Sequence, residues 1–517
     1  MSRAPLSAAV RAVREHWLLT IVLAAGVALR VCASLAYRPA LLYIDSMKYL
    51  YNAYPGADPV GYKAPLKAVL AIGNLGTVAI IQHLLGLAIA VTIYVVLLRR
   101  GTARWLAALA VAPVLLDAYQ IQIEQVIMPD IWFEALIVAG VAVLLSRPAA
   151  PPRILTVVIA GLLLGVSATF RQVGEILILP ALLYLVATGG GWRPIATRSA
   201  ALAVAFVIPI GAYMTGSGLI TGHFWLDSAT PSLSSYGRMA TAADCATLRI
   251  PAYERPLCPT ARQRAYGIDW LDHDIASPLK SYAAPAGMNR YAVIASFDRT
   301  VALQQPLRVL GAIAADGAKL FALTRTSAQG GTPISRWQFQ DSYPTYGSWV
   351  MLGRGGTIVL GLRLQPGSAT ITRHPLDPSY GGPARVSEPA AAFLRSYQLH
   401  GGYTPGPLMA LAVLAGLAGS LLVLARRRAP GTRQLSLACL LFLGSGTAVL
   451  LISDAFQFSW RYQLPGLVTL PPAGALGVMA IVGYVADRRR SEAGGHAGER
   501  EGAGQLAQAG EEVSLRD

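Results

Sequence analysis

The sequence predicts an α-helical polytopic membrane protein with about ten transmembrane helices and a mixed α/β extracytoplasmic domain. Three observations predict it. Of the 517 residues, 54% are hydrophobic and only 14% are charged, too little charge to coat a soluble surface of that size. Apolar runs of about twenty residues, the length that crosses roughly 30 Å of hydrocarbon, recur along the chain and are bounded by charge or by Gly and Pro. A long segment from about Gly216 to Tyr403 differs in kind: it carries His, Asp, Trp, Tyr and Pro throughout and holds no run long enough to span.

The candidate spans run from Trp17 to Tyr37, Leu75 to Leu98, Trp105 to Gln120, Pro129 to Leu145, Ile154 to Phe170, Gly174 to Ala187 and Ala200 to Thr215. After the large loop come Gly406 to Ala425, Leu435 to Ile452 and Gln463 to Tyr484. No small-residue cleavage site follows the first run, so it reads as a retained helix and not a signal peptide. The chain divides accordingly: an N-terminal transmembrane module of about seven helices (1–216), an extracytoplasmic domain (217–404), a C-terminal module of about three helices (405–486), and a tail (487–517). That tail is rich in Gly, Glu and Ala and is expected to be disordered and cytoplasmic. No internal repeat stands out, which weighs against an inverted-repeat transporter.

The formal charge of +16 sits in short clusters between apolar runs, such as Arg99-Arg100, Arg426-Arg427-Arg428 and Arg488-Arg489-Arg490. That pattern anchors helices at the cytoplasm and excludes a nucleic-acid partner. With the N-terminus inside, the inner segments hold seventeen Lys and Arg, against six in the outer connections: Arg38, Lys48, Lys63, Lys67, Arg171 and Arg461. Both termini are therefore expected in the cytoplasm of a multi-pass protein of the plasma (inner) membrane. Cys32 and Cys439 fall inside apolar runs; Cys245 and Cys258, thirteen apart in the outer loop, are either a disulfide or two free thiols.

Within the loop, Pro306 to Arg325 has apolar residues at helical spacing (Leu307, Leu310, Ile313, Leu320, Leu323), which suits an amphipathic helix at the membrane surface or an ordinary domain helix. Alternation over 357–364 and 369–372 suggests short strands.

Ionisable groups at membrane depth are costly, so their positions carry information. Asp45 follows the first span; Asp117, Glu124 and Asp130 surround the turn between the third and fourth; Arg171 and Glu175 mark the turn between the fifth and sixth; Asp454 and Arg461 mark the last. All gather on the outer side, and Arg30 is the clear basic residue inside a span. Asp45, set among aliphatic and aromatic residues, gains nothing structurally from an unpaired carboxylate. Asp117 reads as a helix-end charge, and Pro129 as the start of a helix with Asp130 in its first turn. His83 reads as a satisfied buried imidazole, and His223 as part of an interface-seated aromatic cluster; neither has metal-ligand spacing to another His or Cys.

Several stretches, in order along the chain, resemble the GT-C superfamily of polytopic glycosyltransferases, which includes the protein O-mannosyltransferases and the lipid A aminoarabinose transferases. They are Tyr43-Ile44-Asp45-Ser46 with Tyr49-Leu50, Gly61-Tyr62-Lys63-Ala64-Pro65-Leu66, Gln82-His83-Leu84-Leu85-Gly86, Glu124 through Asp130, Phe170-Arg171-Gln172, and Trp460-Arg461-Tyr462-Gln463-Leu464-Pro465. The resemblance covers residues 15–220 and 405–485. It implies a polyprenyl-phosphate sugar donor, membrane lipid as surroundings, and an inverting transfer to an outer-face acceptor: cell-envelope glycan, lipid or protein. It places Asp45 at the active site as the base that takes the acceptor's proton, with Glu124 and Asp130 as candidates for a second acidic residue. Arg171 and Arg461, with Lys63 behind them, are the candidates to hold the donor phosphate. Tyr62, Gln172 and Tyr462 are further substrate-site candidates. Some members of the superfamily bind a divalent metal; this chain has no compact ligand cluster, so none is assigned and the matter stays open. The loop matches no family. A transporter or flippase, or a non-catalytic membrane protein with a binding loop, are the competing classes.

The topology is testable directly. A cysteine introduced at Ser281 should be labelled by a membrane-impermeant reagent added outside intact cells, and one placed in the tail should not; the reverse pattern would invert the protein in the membrane.

Overall fold

The computed structural model describes residues 11, 13–51, 59–147, 150–226, 231–327, 332–341, 349–352, 372–375, 380–382, 384–424 and 430–514. Among the described residues six helices are long and apolar enough to cross a membrane: Trp17–Ala36, Leu75–Arg99, Trp192–Thr221, Gly406–Leu424, Pro430–Phe456 and Trp460–Arg490. The chain is an integral membrane protein. The remaining expected spans are shorter or broken. Arg104–Leu116 and Ala118–Gln125 meet at a 49° bend. The bend falls at Asp117, which leaves helical geometry to cap the second piece, its carboxylate accepting from the Tyr119 N–H at 3.0 Å. Asp130–Leu144 has 15 residues and Ile154–Phe170 has 17, while a 3₁₀ turn at Gln172–Leu177 leads into Ile178–Thr188. Of the ten expected spans, six are confirmed by length and apolar character among the described residues, or seven if the bent pair is one span, and the others are not. A short apolar run reads as a span in the sequence, but at 1.5 Å per residue 15 residues cover only about 22 Å.

Small residues let the C-terminal helices touch backbone to backbone. A Cβ on Gly477 would lie 2.1 Å from the Ala415 carbonyl oxygen, and one on Gly419 would lie 2.4 Å from the Gly477 Cα. In lipid, where apolar side chains gain nothing from leaving water, such close approach and its dispersion contacts hold helices together.

One buried charge group ties the N-terminal helices. Arg30 donates to Glu124 from Nε (2.8 Å) and Nη2 (2.7 Å) and to the carbonyls of Gly26, Val114 and Leu115. His83 closes the group, its Nδ1 2.9 Å from Glu124 and its Nε2 2.8 Å from Gln125. The satisfied buried imidazole expected at position 83 is what the structure has. Gly86 makes room for the group, since a Cβ there would lie 2.2 Å from Glu124 Oε1.

The described residues of the large loop are mostly helical, and the mixed α/β expectation is not confirmed by them. Their strands are short: Arg385–Val386 pairs antiparallel with Tyr37–Arg38, which follows the first helix, and Trp349–Leu352 pairs with Thr372–Pro375. Of the alternating stretches read as strands, 357–364 lies outside the described residues, and 369–372 is described only at Thr372. Helices Pro231–Ala242, Ile268–His273, Arg290–Gln304 and Pro306–Ala318 enclose a core of their own around Tyr236, Leu271, Leu279, Phe297 and Val301. Cys245 and Cys258 are disulfide-bonded beside it. Helix Pro306–Ala318 exposes Leu307 and Leu310, buries Val309 and packs Ile313 against this core, so the stripe read from the sequence does not share one environment. The later part of the loop instead joins the membrane core, through Ile334, Trp337, Phe339, Ala391 and Leu394. Arg238 fastens the two parts: buried, it pairs with Asp316 and donates to the Asp454 carbonyl at the end of a membrane helix. The last helix runs on to Ser514, through the tail expected to be disordered. Low apolar content rules out a core there, but Ala, Glu, Gln and Arg are good helix formers.

Removing Arg30 alone should strand Glu124 as an unpaired buried charge. Arg30→Met is expected to destabilise the protein by about 3–5 kcal/mol, and adding Glu124→Gln should restore part of the loss. Thermal unfolding of the detergent-solubilised variants measures this; equal midpoints for wild type and Arg30→Met would show that the pair holds nothing.

Candidate active site

The site begins with a short backbone ladder. Leu41 donates to the Gln125 carbonyl at 2.9 Å and accepts from the Ile127 N–H at 3.0 Å, laying the segment after the first helix against residues 125–127. Helix Ile44–Tyr51 then starts, with Ser46 Oγ reaching back to accept from the Tyr43 N–H at 2.9 Å, the reciprocal half of a capping box. Asp45 sits in its first turn. Pro129 starts the helix Asp130–Leu144, so one ladder sets the registers of both Asp45 and Asp130.

Two further helix ends bring the cations. Arg171 caps the C-terminus of Ile154–Phe170. The chain passes close by at Gly61, whose N–H donates to the Thr169 carbonyl at 2.9 Å; a Cβ at Gly61 would lie 2.5 Å from that oxygen, so glycine is required there. Arg461 lies in the 3₁₀ turn Trp460–Gln463, which is pinned by Gln463 donating to Asp454 (2.8 Å) and by the Trp460 indole donating to the Thr326 carbonyl (2.8 Å).

These pieces form a single charged cluster. Arg461 Nη1 donates to Asp45 at 2.8 Å, and Arg461 Nε donates to both oxygens of Asp130 at 3.0 and 3.1 Å. Arg171 Nη1 donates to Asp130 at 2.7 Å. Lys48 Nζ lies 3.9 Å from Asp45. Both guanidinium groups pack over the Tyr462 ring, and Arg461 also faces Trp337 at 5.4 Å. The Trp337 ring rests on Tyr43, at 4.7 Å between centroids, and Arg336 donates to the Tyr43 hydroxyl at 3.3 Å. Asp45 is the most open member, with 29% of its side chain exposed against 6% for Asp130 and 5% for Arg461.

Of the residues singled out in the sequence, Asp45, Asp130, Arg171, Arg461 and Tyr462 meet in this cluster. Glu124 does not join them: the turn 126–129 separates it from the Asp130 helix, and Arg30 and His83 hold it. Tyr62 is fully buried and donates to Gln82 Oε1 at 2.9 Å, with Tyr49 against its ring. Lys63, at the first turn of Lys63–Leu70, makes no ion pair among the described residues, and burial together with Lys67 pulls its pKa below the usual lysine value. Gln172 is exposed beside Arg171. Asp117 is the helix-end charge expected, paired to Arg325 at 2.7 Å. His223 stacks on Trp225 at 4.5 Å, the aromatic cluster expected there. Arg336 and Trp337 were missed, because they lie in a loop whose sequence offers no periodicity or motif to single them out. Among the described residues no group of three or more His, Cys, Asp or Glu could hold a metal ion.

Burial pushes the Asp45 carboxyl up, but the charges of Lys48, Arg461 and Arg171 outweigh it and hold the pKa at about 2. The neighbouring Tyr43 phenol is pushed up to about 12 by burial and by the Asp45 charge. Asp45 is therefore a carboxylate at neutral pH.

No protein-family model and no curated protein matches the chain. Among solved structures it is similar to the S. cerevisiae protein O-mannosyltransferase complex bound to the sugar donor, with 14% identity and a TM-score of 0.34 over 44% of this chain and 36% of that one. It is also similar to the Archaeoglobus fulgidus oligosaccharyltransferase tethered with an acceptor peptide, with 12% identity and a TM-score of 0.39 over 90% and 50%. A third likeness is to the archaeal oligosaccharyltransferase AglB in complex with an inhibitory peptide and a dolichol-phosphate, with 12% identity and a TM-score of 0.37 over 93% and 52%. The chain spans about half or less of the length of the solved chains it matches, and at these scores the likeness assigns no role to any residue.

Because the folded pKa of Asp45 is depressed, its ion pairs stabilise the protein above the ordinary carboxylate range and that contribution is lost as pH falls toward about 2. The difference in thermal midpoint between wild type and Asp45→Asn should be constant from about pH 5 to 8 and close between about pH 4 and 2. A difference independent of pH throughout would show that Asp45 is not ion-paired.

Proposed function

We propose that the protein is a GT-C-type glycosyltransferase that moves a sugar from a polyprenyl-phosphate donor to an acceptor hydroxyl or amide on the face bearing Asp45, which is the outer face, both termini being cytoplasmic. The observation that carries this reading is the Arg461 guanidinium held between Asp45 and Asp130 where membrane helices end, with Arg171 on the second carboxylate. A base and a phosphate-binding pair of arginines thus sit in direct contact.

The contact itself supports a mechanism. With Arg461 bound, Asp45 at about 2 is a weak base. A donor phosphate entering beside Arg461 and Arg171 competes with the carboxylates for their N–H groups, since planar guanidinium donors match phosphate oxygens. As Arg461 turns to the phosphate, Asp45 loses its partner and its affinity for a proton rises. The acceptor heteroatom then bonds to the anomeric carbon as its proton passes to Asp45. The anomeric carbon–oxygen bond breaks, the phosphate leaving with the electron pair and its charge met by the two arginines. One displacement of this kind inverts the anomeric centre. The apolar walls, Trp337 above Arg461 and Tyr462 beneath both arginines, keep water from competing as acceptor and strengthen the charge interactions.

Two variants separate the roles. Asp45→Asn should bind a polyprenyl-phosphate sugar at least as tightly as wild type and lose at least about a hundredfold in turnover. Arg461→Lys should weaken donor binding about tenfold, because a lysine cannot give paired donors. Donor affinity by calorimetry and single-turnover rates in detergent read the two effects. Full turnover in Asp45→Asn sinks the base, and unchanged affinity in both Arg461→Lys and Arg171→Lys sinks the clamp.

A further inference from the structure

The helices that carry the Asp45 cluster at one end frame a second basic site at the other. Asp130–Leu144 begins at Asp130 and ends beside Leu145; Ile154–Phe170 ends at Arg171 and begins after Pro151; Ile178–Thr188 runs in the same sense as Asp130–Leu144, away from Arg171. At those far ends, about 22 Å from the cluster along the 15-residue helix, a cavity of about 140 Å³ is lined by Arg100, Arg147, Tyr184, Arg433 and Gln434. The basic-residue count assigns this end to the cytoplasm.

Three arginines line one cavity, and among the described residues none of them has a carboxylate partner. Two are tethered so that part of each stays free. Arg100, only 8% exposed, donates through Nη2 to the carbonyls of Leu145 (2.6 Å) and Arg147 (3.3 Å), while its Nε is buried with no acceptor. Arg433 donates through Nη2 to the carbonyls of Ala187 (2.9 Å) and Thr188 (2.7 Å), and among the described residues its Nε and Nη1 have no acceptor. Three like charges around one cavity repel, and an anion with several acceptor oxygens relieves that repulsion.

We propose that this cavity binds a phosphate group, supplied either by the headgroup of an anionic phospholipid in the facing leaflet or by dissolved phosphate. Its position suits the first source, since Tyr184 and Leu437 supply apolar wall next to the arginines where the helices reach the membrane surface. The site is separate from the Asp45 cluster and does not depend on the reaction assigned to it. Bound there, the phosphate cross-links the helix ends at Arg100, Arg147 and Arg433 and sets the base against which the outer cluster is held.

The test uses full-length protein purified in a neutral detergent. Native mass spectrometry with added phosphatidylglycerol or phosphatidylcholine reads lipid retention, and the thermal midpoint in sodium phosphate against sodium chloride at equal ionic strength reads the free anion. Arg147→Gln is the first variant, since its side chain holds no carbonyl in place; Arg147→Lys tests rescue by charge. Wild type should retain phosphatidylglycerol over phosphatidylcholine, with retention falling about tenfold in Arg147→Gln and recovering in part in Arg147→Lys, at unchanged elution volume. Stabilisation by phosphate alone, abolished in Arg147→Gln, supports the site with the dissolved ion as its ligand. Equal retention of the two lipids together with no phosphate-specific stabilisation overturns the proposal, as does anionic binding that Arg147→Gln and Arg433→Gln both leave intact.

Discussion

A guanidinium held between two carboxylates organises one end of the helix bundle. Arg461 is almost wholly buried, and a charge taken out of water costs several kcal/mol unless its donors are met. Asp45 and Asp130 meet them from two different helices, and Arg171 supplies the second positive charge that two carboxylates require. The balance forces four chain segments, distant in sequence, to end at one place: the turn after the first helix, the start of Asp130–Leu144, the end of Ile154–Phe170 and the turn before the last helix. A charge cluster that specific excludes alternative registers of those helices, because sliding any one of them by a turn, about 5.4 Å, leaves an ion unpaired at membrane depth.

The same constraint operates deeper, with a different result. Arg30, Glu124 and His83 are enclosed in the bundle and fully engaged, and Gly86 leaves them room. This group is closed: Glu124 and Arg30 are fully buried and turn their donors and acceptors on each other and on helix carbonyls. The Asp45 cluster is open on one side, since Asp45 keeps part of its surface accessible. The difference in exposure separates a structural ion group from one able to exchange partners with a ligand.

The large loop takes part in both the architecture and the site. Its first part folds around its own apolar core and is tied to the bundle by Arg238. Its later part is continuous with the membrane core, and from there Trp337 covers Arg461 while Arg325, paired to Asp117, is enclosed by Tyr119, Tyr403 and Trp460. The loop therefore shapes the dielectric around the charges. Aromatic faces over a guanidinium exclude water yet favour the cation, so they strengthen its ion pairs without neutralising it.

The sequence by itself determined that the chain lives in a membrane, where its apolar helices lie, and that Asp45, Asp130, Arg171 and Arg461 belong to one face, because burial of ionisable groups is costly at every position and their placement relative to spans is a local property. It also showed His83 as a satisfied buried group and Asp117 as a helix-end charge. Span length was harder to read: an apolar run shows composition, whereas the bend at Asp117 and the short helices after it follow from capping and from what packs around them. The tertiary structure decided who pairs with whom. Arg30 and Glu124, 94 residues apart, and Arg461 and Asp45, 416 apart, find each other through helix packing and the ladder at Leu41, and no spacing in the chain encodes those distances. Glu124 and Asp130 are near neighbours in sequence yet fall to different partners, since the turn between them points one carboxylate into the bundle and the other to the cluster with Arg461 and Arg171.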